Sequence, residues 1–240
     1  LQRLIKSGLQ RAGSVVFDSH ATLRDFQHLI GSPHRQRHAV IPIPLNAPFC
    51  PDHENFPLTP AEESQIPVSP YLLMVGSSHP RKNRALALSL LELLGTNHSF
   101  SLVFAGAPLT STEQIFRSNH AFGDRLISIE SPSHELLNRL YCQAYALLFP
   151  SFAEGFGWPL VEAQTCLCPV IASNTTSIPE VAGEGALYAE PSDVAKFAAH
   201  VRELENPAFR VRLIELGFAN TLRYNSDTLS KKYRQFSSQV

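Results

Sequence analysis

The chain has 240 residues, a net charge of −1 and 44% apolar residues, which suits one large domain or one and a half smaller ones. A charge this balanced removes any global field that would draw the chain to nucleic acid or to an acidic membrane. No apolar run is long enough to span a bilayer and the N-terminus lacks a signal-peptide pattern, so the expected location is the cytoplasm, or the inner face of the membrane as a peripheral protein. Cys50, Cys142, Cys166 and Cys168 form neither paired C-x-x-C motifs nor a dense framework, and read as buried free thiols. His34 and His38 lie beside Pro33 with no acid nearby and give no zinc site, and Arg35-Gln36-Arg37 between them reads as a solvated basic loop. Met74 is the only methionine, so Leu1 is not an ordinary initiator, and a fragment or a processed product is expected.

Residues 1–13 read as a short helix and 14–19 as a strand; Leu23, Phe26, Leu29 and Ile30 then recur at helical spacing up to a stop at Gly31. Residues 39–44 are extended, with prolines suited to a sheet edge or exit. Pro48, Pro51, Pro57, Pro60 and Pro67 crowd residues 45–69, which predicts a linker without regular helix or central strand. Beyond it, strands are predicted at 71–76, 101–106, 125–130, 145–149, 169–173 and 185–189, separated by helices. Leu86, Leu90, Leu91 and Leu94 form one apolar helix face, Leu136, Leu137, Leu140, Tyr141 and Ala144 another, and Thr110-x-x-Glu113 is a capping box opening a third. Strands alternating with helices imply an α/β fold, a Rossmann-like parallel sheet with helices on both faces, whose ligands bind at the carboxyl ends of the strands. At the C-terminus Leu229, Tyr233, Phe236 and Val240 form one apolar stripe.

Two turns at those carboxyl ends carry the chemistry. Pro150 to Ala163 reads as strand exit, glycine-bearing loop and helix, with Pro159 suited to the first helical turn and helix onset near Trp158. Gly155 and Gly157 let the backbone approach a ligand closely, and the unpaired amides at the helix start favour a phosphate. Glu162, in the first turn, can lean back over the same spot and accept from two ribose hydroxyls. Glu154 faces the ligand from the loop side, suited to sugar hydroxyls or a developing positive charge. The second turn, Gly76-Ser77-Ser78-His79-Pro80-Arg81-Lys82-Asn83, places two cations at a helix opening, where the dipole disfavours them unless an anion is present. Arg81 offers a planar fork for diphosphate oxygens and Lys82 a compact charge. No G-x-G-x-x-G follows the strand at 71–76, which excludes a dehydrogenase fingerprint.

Glu154 and Glu162, spaced by seven residues and joined by Gly155-Phe156-Gly157, resemble the sugar-nucleotide signature of retaining glycosyltransferases of family 4, the group 1 glycosyl transferases of GT-B architecture. Val75-Gly76 with Pro80-Arg81-Lys82-Asn83, Pro169-Val170-Ile171-Ala172-Ser173 and Pro179-Glu180-Val181-Ala182-Gly183 also resemble that family, in which the lysine binds the donor pyrophosphate. The resemblance implies a remnant of the N-terminal GT-B domain at 1–44, a linker at 45–69, the nucleotide-sugar-binding domain at 70–225 and a C-terminal crossover helix at 226–240 whose stripe is expected to have lost its usual surface. It assigns catalysis to Glu154, Lys82 and Arg81, and donor binding to Gly76, Arg81, Lys82, Ser131, Glu154, Gly155, Phe156, Gly157 and Glu162. Ser131 would line the nucleobase through its backbone, and Glu180 would be structural. No metal and no cofactor is implied; the partners are a nucleotide-sugar donor, a glycan or lipid-linked acceptor, and a partner chain or the missing N-terminal domain. The implied function is retaining transfer of a sugar, best read as mannose from GDP-mannose; the alternative is a non-catalytic nucleotide-sugar-binding module. A glycosidase using the two glutamates is a third reading, disfavoured by the two phosphate-ready turns. One departure is Leu167, where the family usually has glycine; a positive φ there would cost about 1 kcal/mol.

Overall fold

The computed structural model describes residues 2–31, 36–52, 56–95 and 98–238. A small N-terminal unit comes first: α1 (Gln2–Arg11), β1 (Ser14–Phe17), α2 (His20–Ile30) and β2 (Arg37–Val40), with β1 and β2 paired in parallel. α3 (Pro60–Glu63) is a single turn. The main domain runs β3 (Tyr71–Gly76), α4 (Arg84–Leu94), β4 (Ser101–Gly106), α5 (Ser111–Asn119), β5 (Leu126–Glu130), α6 (His134–Gln143), β6 (Ala146–Phe149), α7 (Trp158–Thr165), β7 (Val170–Ser173), α8 (Ile178–Ala182), β8 (Ala186–Ala189), α9 (Val194–Glu203) and α10 (Pro207–Thr221). α11 (Ser226–Ser237) closes the chain.

Six parallel strands form the main sheet in the order β5-β4-β3-β6-β7-β8, the doubly wound arrangement that reverses direction between β3 and β6. Its central strands are buried on both faces, and so read as continuous apolar runs. Alternation along each strand still sorts their side chains into two cores. Leu73, Val103 and Leu147 pack with Leu140 and Tyr141 of α6 and Leu160 and Val161 of α7. Their neighbours Leu72, Leu102 and Leu148 pack with Leu90 and Leu91 of α4 and Phe197 and Val201 of α9. The six strands predicted for the main sheet agree with the observed ones to within one residue at each end, whereas the strand predicted at 14–19 ends at Phe17 and the extended segment predicted at 39–44 is paired only as part of Arg37–Val40.

Four expectations need correction. The proline-rich linker does contain a helical turn, because Thr59 and Glu62 form a capping box around Pro60, which sits where a missing N–H costs nothing. Residues 36–38 are not a solvated loop: the Gln36 amide donates to the carbonyls of Leu9 and Ala12, and the His38 ring stands edge-on to Phe17 and Phe26 within β2. Pro33, His34 and Arg35 lie outside the described residues. The C-terminal stripe keeps a surface: Leu229 is buried, Tyr233 Oη donates to Ile41 O at 3.1 Å, and the Arg37 guanidinium lies over Phe236. Val240 lies outside the described residues. Of the four free cysteines, Cys166 and Cys168 are buried, whereas Cys50 and Cys142 are only half-buried. No helix among the described residues is long and apolar enough to cross a membrane.

Candidate active site

A doubly wound sheet has its ligand crevice at the carboxyl edge where the strand order reverses, here between β3 and β6, and both predicted turns lie at that point. After β3 the chain passes Gly76 (φ +121°), makes a 3-10 turn at Pro80–Lys82 and enters α4 through Asn83, which holds a left-handed φ of 56°. Asn83 Nδ2 donates to Pro150 O at 3.0 Å and Pro191 O at 2.7 Å, tying this turn to those after β6 and β8. Phe152 N donates to Arg81 O at 2.8 Å, a second strap between the β3 and β6 turns.

After β6 the chain reaches α7 through Gly157, at φ +102°. A Cβ there would lie 3.1 Å from Leu160 Cδ1 and 3.6 Å from the Phe149 ring, so both conformation and space call for glycine. Lys82 Nζ stands 5.0 Å from the centroid of the same Phe149 ring. Lys82 and Gly157 therefore flank one side chain rather than sitting on opposite rims of the sheet.

Glu154 joins the two turns electrostatically. One carboxylate oxygen pairs with Arg81 Nη1 and the other accepts from Lys82 Nζ at 2.7 Å. The Glu154 side chain is 6% exposed and that of Arg81 42%. Burial pushes the Glu154 carboxyl up, but the hydrogen bonds and charge of Lys82, with the hydrogen bond of Arg81, outweigh it and leave the group below the usual carboxylate range. Glu162 has a different setting. Its Oε2 accepts from Tyr141 Oη at 2.7 Å between α6 and α7, while Oε1 has no partner among the described residues. Here burial prevails over the Tyr141 hydrogen bond and the nearby positive charges, and the carboxyl is raised. Ser131 follows β5 with φ 46°, its N–H on Gly106 O at 2.9 Å, two strands along the same edge from Gly76.

The structure thus brings Gly76, Arg81, Lys82, Glu154 and Gly157 together at the carboxyl edge of the sheet, with Glu162 close by, one of its carboxylate oxygens held by Tyr141. Several supporting residues escaped sequence reasoning. Tyr141 counted only as an apolar position, although a buried tyrosine needs a hydrogen-bond partner. Arg84, next to the cationic pair, is buried and donates to Gly76 O, Ala107 O and Pro108 O while pairing with Glu113 at 3.2 Å. It buttresses the β3 turn from behind. Among the described residues no group of three or more His, Cys, Asp or Glu side chains could hold a metal ion.

The fold defines the class first: a doubly wound, Rossmann-like domain of the kind that forms one half of the GT-B architecture. The family model for glycosyl transferases group 1 matches residues 58–218, and the chain belongs to that family. It is 32% identical over 181 residues to O-antigen chain mannosyltransferase B of Escherichia coli, covering 70% of this chain and 47% of that protein. It is 30% identical over 135 residues to O-antigen chain mannosyltransferase RfbU of Salmonella typhimurium, covering 56% of this chain and 38% of that protein. The chain spans less than half the length of these two curated relatives. Among solved structures, the sucrose-phosphate synthase of Thermosynechococcus elongatus superposes with a TM-score of 0.79 at 22% identity, covering 99% of this chain and 60% of that one.

Proposed function

We propose that this chain is the donor-binding part of a retaining mannosyltransferase that moves mannose from GDP-mannose to a glycan or lipid-linked acceptor. The observation that carries the reading is the meeting of Arg81, Lys82 and the Gly155–Gly157 loop around Glu154 at the sheet reversal. A diphosphate between these turns would meet two cations on one side and the bare amides at the start of α7 on the other. That cationic surface takes the place of a divalent metal. As the glycosidic bond to the leaving diphosphate lengthens, the growing negative charge is stabilised by Lys82 and Arg81. Glu154 then holds the donor sugar, Glu162 accepts from the ribose through its free Oε1, and the Ser131 backbone lines the base. The choice of mannose draws on the two O-antigen mannosyltransferases to which the chain is similar.

Calorimetry tests the reading. GDP is expected to bind more tightly than UDP, and chelation of divalent metals is expected to leave that affinity unchanged. Absence of binding by either nucleotide would overturn it; preference for UDP would overturn the assignment of the donor. Transfer from GDP-mannose by the chain alone, against transfer only after a second chain is added, separates a self-sufficient enzyme from a binding module that works with a partner.

A further inference from the structure

We infer that Ser19 and Glu180, which take no part in the site described above, are positioning residues that set the direction of the Gly155–Gly157 amides. The inference rests on the donor reading for its meaning. Its physical content is a chain of hydrogen bonds that ends on the loop backbone.

Three consecutive carbonyls of that loop are tied down by hydroxyl groups. Ser177 Oγ, just before α8, lies 2.9 Å from Glu154 O and 3.0 Å from Phe156 O and shares its single proton between them. Ser19 Oγ donates to Gly155 O at 2.6 Å. In a trans peptide the C=O and N–H point opposite ways. Holding each carbonyl on its hydroxyl therefore turns the N–H of the same peptide plane, that of Gly155, Phe156 and Gly157 in turn, away from that hydroxyl. None of those three amides donates to another group among the described residues. The Glu154 amide, by contrast, is consumed by Thr176 Oγ1 at 3.0 Å.

Ser177 belongs to the same domain as the loop, but Ser19 does not. It is the N-cap of α2 in the N-terminal unit, fully buried, and its hydroxyl oxygen also accepts from Thr22 N at 3.1 Å. What holds that helix start against the loop is Glu180. Its Oε1 accepts from His20 N at 2.8 Å, and its Oε2 lies 3.0 Å from His20 N and 3.3 Å from Ala21 N. A carboxylate on the first amides of an eleven-residue helix meets both hydrogen-bond donors and the positive end of the helix dipole. Glu180 and Ser177 lie three residues apart at α8, so one short element anchors the loop directly through Ser177 and indirectly through α2 and Ser19. Thr22 Cγ2 and Asp18 Oδ2 would lie 3.5 and 3.8 Å from a Cβ at Gly155, which shows how closely the two units meet.

Calorimetric titration of the full chain with inorganic pyrophosphate and with GDP, together with amide hydrogen exchange over residues 153–158, tests this. Ser19→Ala and Glu180→Gln are each expected to weaken pyrophosphate binding about three- to tenfold, the range one hydrogen bond supplies, and to speed exchange of the loop amides. Because the two act in series, the double variant is expected to bind no more weakly than the weaker single one. Ser19→Thr keeps the hydroxyl and is expected to restore binding; a loss equal to that of Ser19→Ala would overturn the inference. So would unchanged affinity and unchanged exchange in both primary variants. If the unaltered chain bound neither probe, the donor reading would fail by itself. The exchange rates of the loop amides in the variants would still decide whether Ser19 and Glu180 position them.

Discussion

The turn after β3 and the turn after β6 face the same crevice with opposite means. The first delivers charge through side chains, Arg81 and Lys82, on a backbone braced by the 3-10 turn and by Arg84 on Gly76 O. The second delivers backbone amides, and Glu154 is the one formally charged side chain between Pro150 and Leu160. A side-chain site can be erased by one substitution without moving the chain. A backbone site is indifferent to most side chains but intolerant at its glycines, and it depends on whatever holds the peptide planes.

The largest effect that would break this contrast is expected from Lys82→Ala. Removing a charge-assisted contact of ~1.5–3 kcal/mol should lower pyrophosphate affinity by one to two orders of magnitude in calorimetry, with a lower melting temperature as well, because the buried Glu154 carboxylate loses one of its two cations. Gly157→Val attacks the other turn. It forces a branched side chain to φ +102° and into Leu160, so a loss of ~1–3 kcal/mol in denaturant unfolding is expected together with the loss of binding. Unchanged stability there would mean the turn is not built on glycine.

Glu154→Gln sharpens the comparison, because that carboxylate occupies both cations and must give way to a diphosphate. Pyrophosphate affinity is expected to rise severalfold while sugar transfer is lost. A pH signature should accompany it. The Glu154 pKa in the fold lies below its ordinary value of 4.5, so its ion pairs stabilise the chain fully above that value and release the stabilisation as pH falls through the lower one. Acid unfolding curves of Glu154→Gln should therefore fall less steeply below about pH 4.5 than those of the unaltered chain. The smallest effect concerns Leu167, just past the end of α7. It sits at φ 58°, and Leu167→Gly is expected to stabilise by ~0.5–1 kcal/mol in the same unfolding assay.

Much of this was legible in the amino-acid order, for reasons that differ by element. The sheet strands announced themselves because strands buried on both faces are uninterrupted apolar runs, as Ala146–Phe149 shows. The positive φ at Leu167 was foreshadowed only by the resemblance, since the family usually has glycine there. The helical turn at Pro60–Glu63 was hidden because proline density was read as a bar to helix, when Thr59 and Glu62 around Pro60 spell a cap. Within the site, the cations and glycines could be found from local pattern. The partners of Glu162 and Gly155 could not, since Tyr141 and Ser19 come from 21 and 136 residues away and carry no local signature of their contacts.

Asn83 has a dynamic consequence. With both hydrogens of one amide nitrogen committed to Pro150 and Pro191, three separate turns become one mechanical body. Loosening of any of them by heat or mild denaturant will be shared by all three, and their backbone protons will begin to exchange with solvent at a common temperature.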